Sequence, residues 1–429
     1  MPRHALELAP FRGLRYADPD VDRFIDGDFD LARLLTPPYD IPDAEEARKL
    51  QRSDPHNAAR VTLPYELGRQ DPDSAVPHRY RAAADLLHSW IGDGVLVLDG
   101  EPALYVYEQV TADGRRQRGL VGNLRLPEDG AGSAVRPHED VADPPVRDRF
   151  ALMGLARANL EPIFLVYRGG GGAATAATEA AAALAPLVSA RTRDGSEHRL
   201  WALTDPGELR RVAADLAGRS ALIADGHHRY AAYRRLHREY PDPGWGYGLA
   251  LLVDSDTHPP RLGAIHRVLP GLDTDTAVRE AREAATVEPL GTASPEVLAG
   301  VAARAGSESP ALLLVSPDGD AHLAHGFDEG VLERAMPERS PAWRRLPTAV
   351  LHEVLMPLWE FPEDLVRMVH DDPAEAVAAA HHEKGTAVVV PALGVGQVYA
   401  VADRGELTPR KSTSFGPKPR TGLVMRVLD

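Results

Sequence analysis

Short apolar runs alternate along this chain with longer stretches in which apolar residues recur every three or four positions. The runs at 103–110, 119–126, 162–167, 220–224, 248–256, 311–317, 386–392 and 397–403 predict strands. Helical spacing predicts helices over 76–92, 174–189, 206–217, 227–239, 275–286, 294–305, 347–358 and 373–383. The mixture points to an α/β or α+β fold. The runs at 103–110 and 119–126 flank "TADGRRQR", which predicts a hairpin and therefore mixed sheets. A composition change at "LPGLDTDT" (269–276) predicts two regions, 1–270 and 271–429, the second contributing the segment around Lys411.

The stretch "ALIADGHHRYAAYRRLHREY" (221–240) stands apart. A strand-like run stops at Asp225-Gly226, and a helical period begins with His227, His228 and Arg229. Glycine permits a backbone closed to other residues. The first turn of a helix has N–H groups without intrahelical acceptors, and its dipole favours anions. Gly226, His227, His228 and Arg229 are therefore candidate phosphate ligands, Arg229 offering a planar fork. Asp225 reads either as a plain cap or as a group that binds Mg²⁺ or orients Arg229. Ala232, Leu236 and Tyr240 should form the face packed on the sheet.

Composition narrows the choices. The 429 residues carry a net charge of −15, which argues against a general nucleic-acid binder. There is no cysteine, so thiol nucleophiles, disulfides and thiolate metal sites are excluded. The N-terminus has no signal-peptide core and no window is apolar enough to span a membrane, which points to a cytoplasmic protein. Lysine is scarce, at positions 49, 384, 411 and 418, and two of these fall in "TPRKSTSFGPKPR" (408–420). Arg410, Lys411, Ser412, Thr413 and Lys418 there suit an anionic ligand, as would a merely basic surface segment.

Other polar clusters are candidates. "RPHEDVADPPVRDR" (136–149) offers His138, Glu139, Asp140, Asp143, Arg147 and Arg149 in a proline-rich loop, with His138 and Glu139 as catalytic candidates. Arg12, Tyr39, Asp40, Asn57 and Arg60 are equally readable as a substrate pocket or as structure. "RGGGGAA" (168–174) lacks the ending of a phosphate loop and reads as a plain loop, and "LHEVLM" (351–356) lacks the second histidine of a zinc helix.

"ADGHHRYAA" resembles the glycine–arginine box of the ParB/sulfiredoxin-like fold. The whole chain resembles the family known as domain of unknown function 1015 through "PFRGLRY", "PPYDI", "HNAARVTLP", "ALYVYEQ", "RPHEDV", "RANLEPIF", "ADGHHRYAA", "HRVL" and "PRKSTSFGPK". The resemblance implies a ParB/sulfiredoxin-like core with further α/β elaborations. It also implies chemistry like that of free-serine kinases, which use ATP, ADP or pyrophosphate. A glutamate upstream of the arginine box is the base in those kinases, and Glu139 has that order in the chain. Two departures stand out. His227 replaces sulfiredoxin's reactive cysteine, and Ser414-Phe415-Gly416 replaces an aromatic pair. The reading is a Mg²⁺-dependent phosphotransferase acting on a small hydroxylated amino acid, free L-serine first. The alternatives are a nucleotide-binding switch or scaffold with little turnover, and a phosphate-ester hydrolase.

Overall fold

The computed structural model of the protein describes residues 5–17, 30–64, 78–128 and 133–428. It is a mixed α/β protein, and the chain divides into two compact units. The first comprises Met1–Arg136, Val141–Pro260 and Pro417–Asp429; the second comprises Pro137–Asp140 and Arg261–Gly416. The division therefore falls at 260/261 and not at 270/271. The strand Ile265–Leu269 pairs with Arg367–His370 and Thr386–Val389, which binds it to the second unit. The last residues from Pro417 return to the first unit, so the "PRKSTSFGPK" segment is shared out between the two.

The first unit is built on a nine-stranded sheet. Its path runs Val135–Arg136, Ala221–Asp225, Ile163–Tyr167, Tyr247–Asp254, Arg116–Arg125, Leu104–Val110, Glu197–Leu203 and Val188–Arg191, with Leu8–Ala9 added beside Arg116–Arg125. The expected hairpin is present: Tyr105 faces Val121 and Val110 faces Arg116. Two pairings are parallel and the others antiparallel, so the sheet is mixed. Ile163–Tyr167 is buried at all five positions, as a strand covered on both faces must be.

Helix His227–Glu239 packs Ala232 and Leu236 into the main core with Val146 and Met153 of helix Asp143–Ala156. Tyr240 lies beyond the helix and is 40% exposed, so the expected face is two residues and not three. Helix Asp143–Ala156 replaces most of the expected loop at 136–149. Pro144 and Pro145 fall in its first turn, where a missing N–H costs nothing.

The second unit holds a six-stranded antiparallel sheet, ordered Thr286–Thr292, Asp320–His325, Ala311–Val315, Thr386–Val389, Ile265–Leu269 and Arg367–His370. The expected strand at 397–403 is instead helix Val395–Ala402. Val398, Tyr399, Val401 and Ala402 are buried at helical spacing, and Gln397 Oε1 accepts the Gly394 N–H at 2.9 Å to start it. The helical period at 347–358 contains one π turn, Leu351–Leu355.

Candidate functional site

The strand Ala221–Asp225 delivers Asp225 to the edge of a turn, and Gly226 makes the turn in the left-handed region at φ +94°. A Cβ there would press on Ile163 Cγ2 at 3.0 Å and on the Arg229 guanidinium at 3.1 Å. Glycine is thus required twice, by the backbone angle and by the approach. Gly226 itself is the N-cap, and a glycine brings no side chain of its own to cap the helix that follows. Asp225, expected as a possible cap, faces cations instead.

Arg229 is 2% exposed. Its Nη2 donates to Asp225 Oδ2 at 2.5 Å and its Nη1 to the Pro162 carbonyl at 2.8 Å. The fork is turned inward, so its direct action in this structure is to orient Asp225. Burial works against the Arg229 charge, but Asp225, Glu161 and Asp40 outweigh it and hold its pKa above the usual arginine range.

The other oxygen of Asp225 meets Lys418. Lys418 Nζ lies 2.7 Å from Asp225 Oδ1 and 2.6 Å from Asp40 Oδ2, an ammonium held between two carboxylates. Burial opposes the Lys418 charge, but the two carboxylates raise its pKa. Burial also opposes the charge on Asp40, where Lys418 and Arg229 prevail and lower the pKa. Further bonds fix the returning C-terminal segment. Gln117 Nε2 donates to the Pro417 carbonyl, Arg420 N–H donates to Tyr107 Oη, and Thr36 and Thr421 exchange backbone bonds.

Behind this pair lies a charged cluster that the sequence motifs did not single out as a group. Glu161 is 4% exposed and accepts from Tyr39 N–H at 2.9 Å and Thr421 Oγ1 at 3.1 Å. Burial pushes its carboxyl up, against the pull of Arg229 and Arg149. Arg149 reaches it at 3.7 Å and also binds Asp148 and the Thr62 carbonyl. Tyr39 lies under both guanidiniums, at 4.2 Å from Arg149 and 5.7 Å from Arg229. Burial pushes its phenol up to about 12. One signal for Glu161 was in the chain: a lone carboxylate inside the run Leu160–Tyr167 must find buried partners.

Other expected residues do different work. His228 Nε2 accepts the Ala142 N–H at 3.1 Å, at the N-cap of helix Asp143–Ala156, so its other nitrogen carries the proton. His227 is 7% exposed. Asn57 is internal, accepting from Ala59 N–H and donating to the Arg33 carbonyl. Arg60 donates to the Gln51 carbonyl, and Arg12 to the Asp99 carbonyl. Of the five expected substrate residues, Tyr39 and Asp40 join the charged cluster. Asn57, Arg60 and Arg12 are occupied with holding the backbone.

His138, Glu139, Arg410, Lys411, Ser412 and Thr413 belong to the second unit. There Glu139 Oε1 accepts the Lys411 N–H at 3.1 Å, and His138 Nε2 meets Thr413 Oγ1 at 2.9 Å. Ser412 Oγ donates to the Pro409 carbonyl and meets Thr348 Oγ1 at 2.7 Å. These hydroxyls shape their own loop, and Lys411 takes a left-handed backbone at φ +56°. Arg267, which carried no expectation, donates to the Lys411 carbonyl and to His352 Nε2. Its complete burial pushes its pKa down to about 10.

Mg²⁺ was expected at Asp225. Both oxygens of that carboxylate face cations, and Lys418 Nζ stands where a divalent ion bridging Asp40 and Asp225 would sit. Among the described residues no group of three His, Asp or Glu side chains is arranged to hold a metal. The residues as they stand do not fit a resident ion. No helix among the described residues is long and apolar enough to cross a membrane.

A mixed sheet, a strand-to-helix glycine turn and a lysine bridging two carboxylates mark the first unit. The chain belongs to the family described as proteins of unknown function, DUF1015, whose model matches residues 8–349. No curated protein matches it. Similar solved structures include a free serine kinase variant in complex with ADP, at 15% identity over 66% of this chain and 84% of that chain, with a TM-score of 0.34. The free serine kinase in complex with AMP matches at 15% over 66% and 84%, with a TM-score of 0.31. SbnI with a C-terminal truncation from Staphylococcus aureus matches at 11% over 71% and 86%, with a TM-score of 0.34.

Proposed function

We propose that the protein is a small-molecule phosphotransferase, with ATP, ADP or pyrophosphate as donor and a hydroxylated amino acid such as free L-serine as acceptor. The observation that carries this reading is Lys418, held between Asp40 and Asp225 beside the glycine that starts helix His227–Glu239. A helix N-terminus and an ammonium together favour phosphate oxygens, and both are in place before the ligand arrives. Arg229 fixes Asp225, and Asp225 with Asp40 fixes Lys418.

Mg²⁺ arrives in this reading with the donor's phosphates and is not resident on the protein. In the transfer step the acceptor oxygen bonds to the terminal phosphorus and the bond to the leaving phosphate breaks. The hydroxyl proton passes to a carboxylate. Glu139 is proposed for that role from its order in the chain, and Glu139→Gln tests it.

The test is phosphorus NMR on the full chain with Mg²⁺ and each donor, with and without L-serine. A phosphomonoester signal that needs serine, and that Lys418→Met loses, is the expected result. Donor bound but never turned over would replace the kinase with the nucleotide-binding switch. Hydrolysis indifferent to serine would replace it with the phosphate-ester hydrolase.

A further inference from the structure

A cavity of about 320 Å³ opens in the first unit beside the same two segments that carry Asp40 and Lys418. Pro37 and Arg420 both line it. The Thr36–Thr421 backbone pairing locks these segments together next to the cavity. Its walls are of two kinds. Leu35, Pro37 and Leu50 give an apolar side. Arg33, Lys49, Arg193 and Arg420 add cations to the lining, and Glu46 and Asp194 add carboxylates. Arg420 is paired with Asp194, and Lys49 with Glu45. Arg193 makes no hydrogen bond or ion pair among the described residues. A volume of this order suits a small organic ligand, and a lining that combines apolar side chains with guanidiniums suits one with a flat body and an anionic end.

We infer that this cavity receives the nucleoside part of a nucleoside phosphate. Base and ribose lie against Leu35, Pro37 and Leu50. The phosphates run past Arg193 and Arg420 toward Lys418, two residues along the chain. This deepens the proposed function and rests on its donor site: it makes the donor a nucleotide and not pyrophosphate, which has no body to fill an apolar wall.

The experiment is calorimetric binding of ADP, ATP and pyrophosphate to the full chain and to two variants. Ala32→Trp puts a large side chain on a residue that lines the cavity, and Arg193→Glu reverses an exposed charge. Ala32→Trp is expected to weaken ADP and ATP about tenfold while pyrophosphate stays within about twofold of wild type. Arg193→Glu, which leaves the apolar wall intact, is expected to weaken the nucleotides several-fold. Equal affinity of the wild type for ADP and pyrophosphate would overturn the inference. So would nucleotide binding untouched by both variants, or a rise in acceptor KM alone. Serine phosphorylation from pyrophosphate without nucleotide binding would overturn the cavity and keep the kinase. Nucleotide binding lost in Ala32→Trp, with no transfer to any acceptor, would keep the cavity and overturn the kinase.

Discussion

Two helices of the first unit start at a glycine after a strand, and they have opposite electrostatics. Helix Ala173–Ala181 follows Ile163–Tyr167 through the glycine-rich loop at 169–172. Helix His227–Glu239 follows Ala221–Asp225 through Gly226 alone. The two strands are antiparallel neighbours, so the two helix starts lie at opposite ends of the pair. At Gly172 the start is closed by acid: Asp215 Oδ2 accepts the Ala174 N–H at 2.9 Å, and a Cβ on Gly172 would strike Asp215 and Arg219. At Gly226 the neighbouring carboxylate, Asp225, is neutralised by Arg229 and Lys418. Glycine content alone does not separate the two starts. The two starts differ in the charge beside them: an acid bonded to the first turn at Gly172, and an acid held by two cations at Gly226.

The largest effect should come from Arg229→Ala. It strands Asp225 with half of its cations gone and leaves the buried Pro162 carbonyl without a donor. Breaking such a pair costs about 3–5 kcal/mol, read as a lower denaturant midpoint. An unchanged midpoint would mean that the Gly226 turn is held by packing and not by charge. Lys418→Met comes next, at about 1–3 kcal/mol, because Asp40 is more than a third exposed and water screens it. Its signature is in pH. The raised folded pKa of Lys418 gives stability that is full below the ordinary lysine value and lost as pH rises through the folded value. The lowered pKa of Asp40 gives stability present above the ordinary aspartate value and lost as pH falls through the folded value. The variant should lose the alkaline arm of the wild-type profile, and its acid arm should shrink as Asp40 loses its nearest cation. A profile identical to wild type at both ends would break the assignment.

The comparison also shows what the chain disclosed and what it withheld. The Gly226 turn was legible because its parts are local: an apolar run, Asp-Gly, then a helical period. Lys418 and Asp40 each attracted notice, but the bond between them spans |i−j| = 378, which no spacing rule reaches. Arg149 was read as part of a proline-rich loop, since Pro144-Pro145 suggests a break. Proline in a first helical turn is permitted, and the helix turns Arg149 into the cluster under Tyr39. Residues 397–403 read as a strand because Val398 and Tyr399 are strong strand formers. Burial at helical spacing and the Gln397 contact to Gly394 decided otherwise.

The smallest expected effect sharpens the comparison most. Asp215→Ala removes the acid that closes the Gly172 start and leaves Arg219 without its 2.6 Å and 2.8 Å contacts. The loss of one cap contact with its partner should cost about 1–2 kcal/mol. Binding of ADP and pyrophosphate should stay as in wild type if the anion binds, as proposed, at the Gly226 start. If the variant instead binds phosphate more tightly, removal of a carboxylate has opened a second anion site, and a missing acid would then suffice to make one. If binding is unchanged, a bare glycine start is not enough, and the cation held in place by Asp225 and Asp40 is what separates the two ends of the sheet.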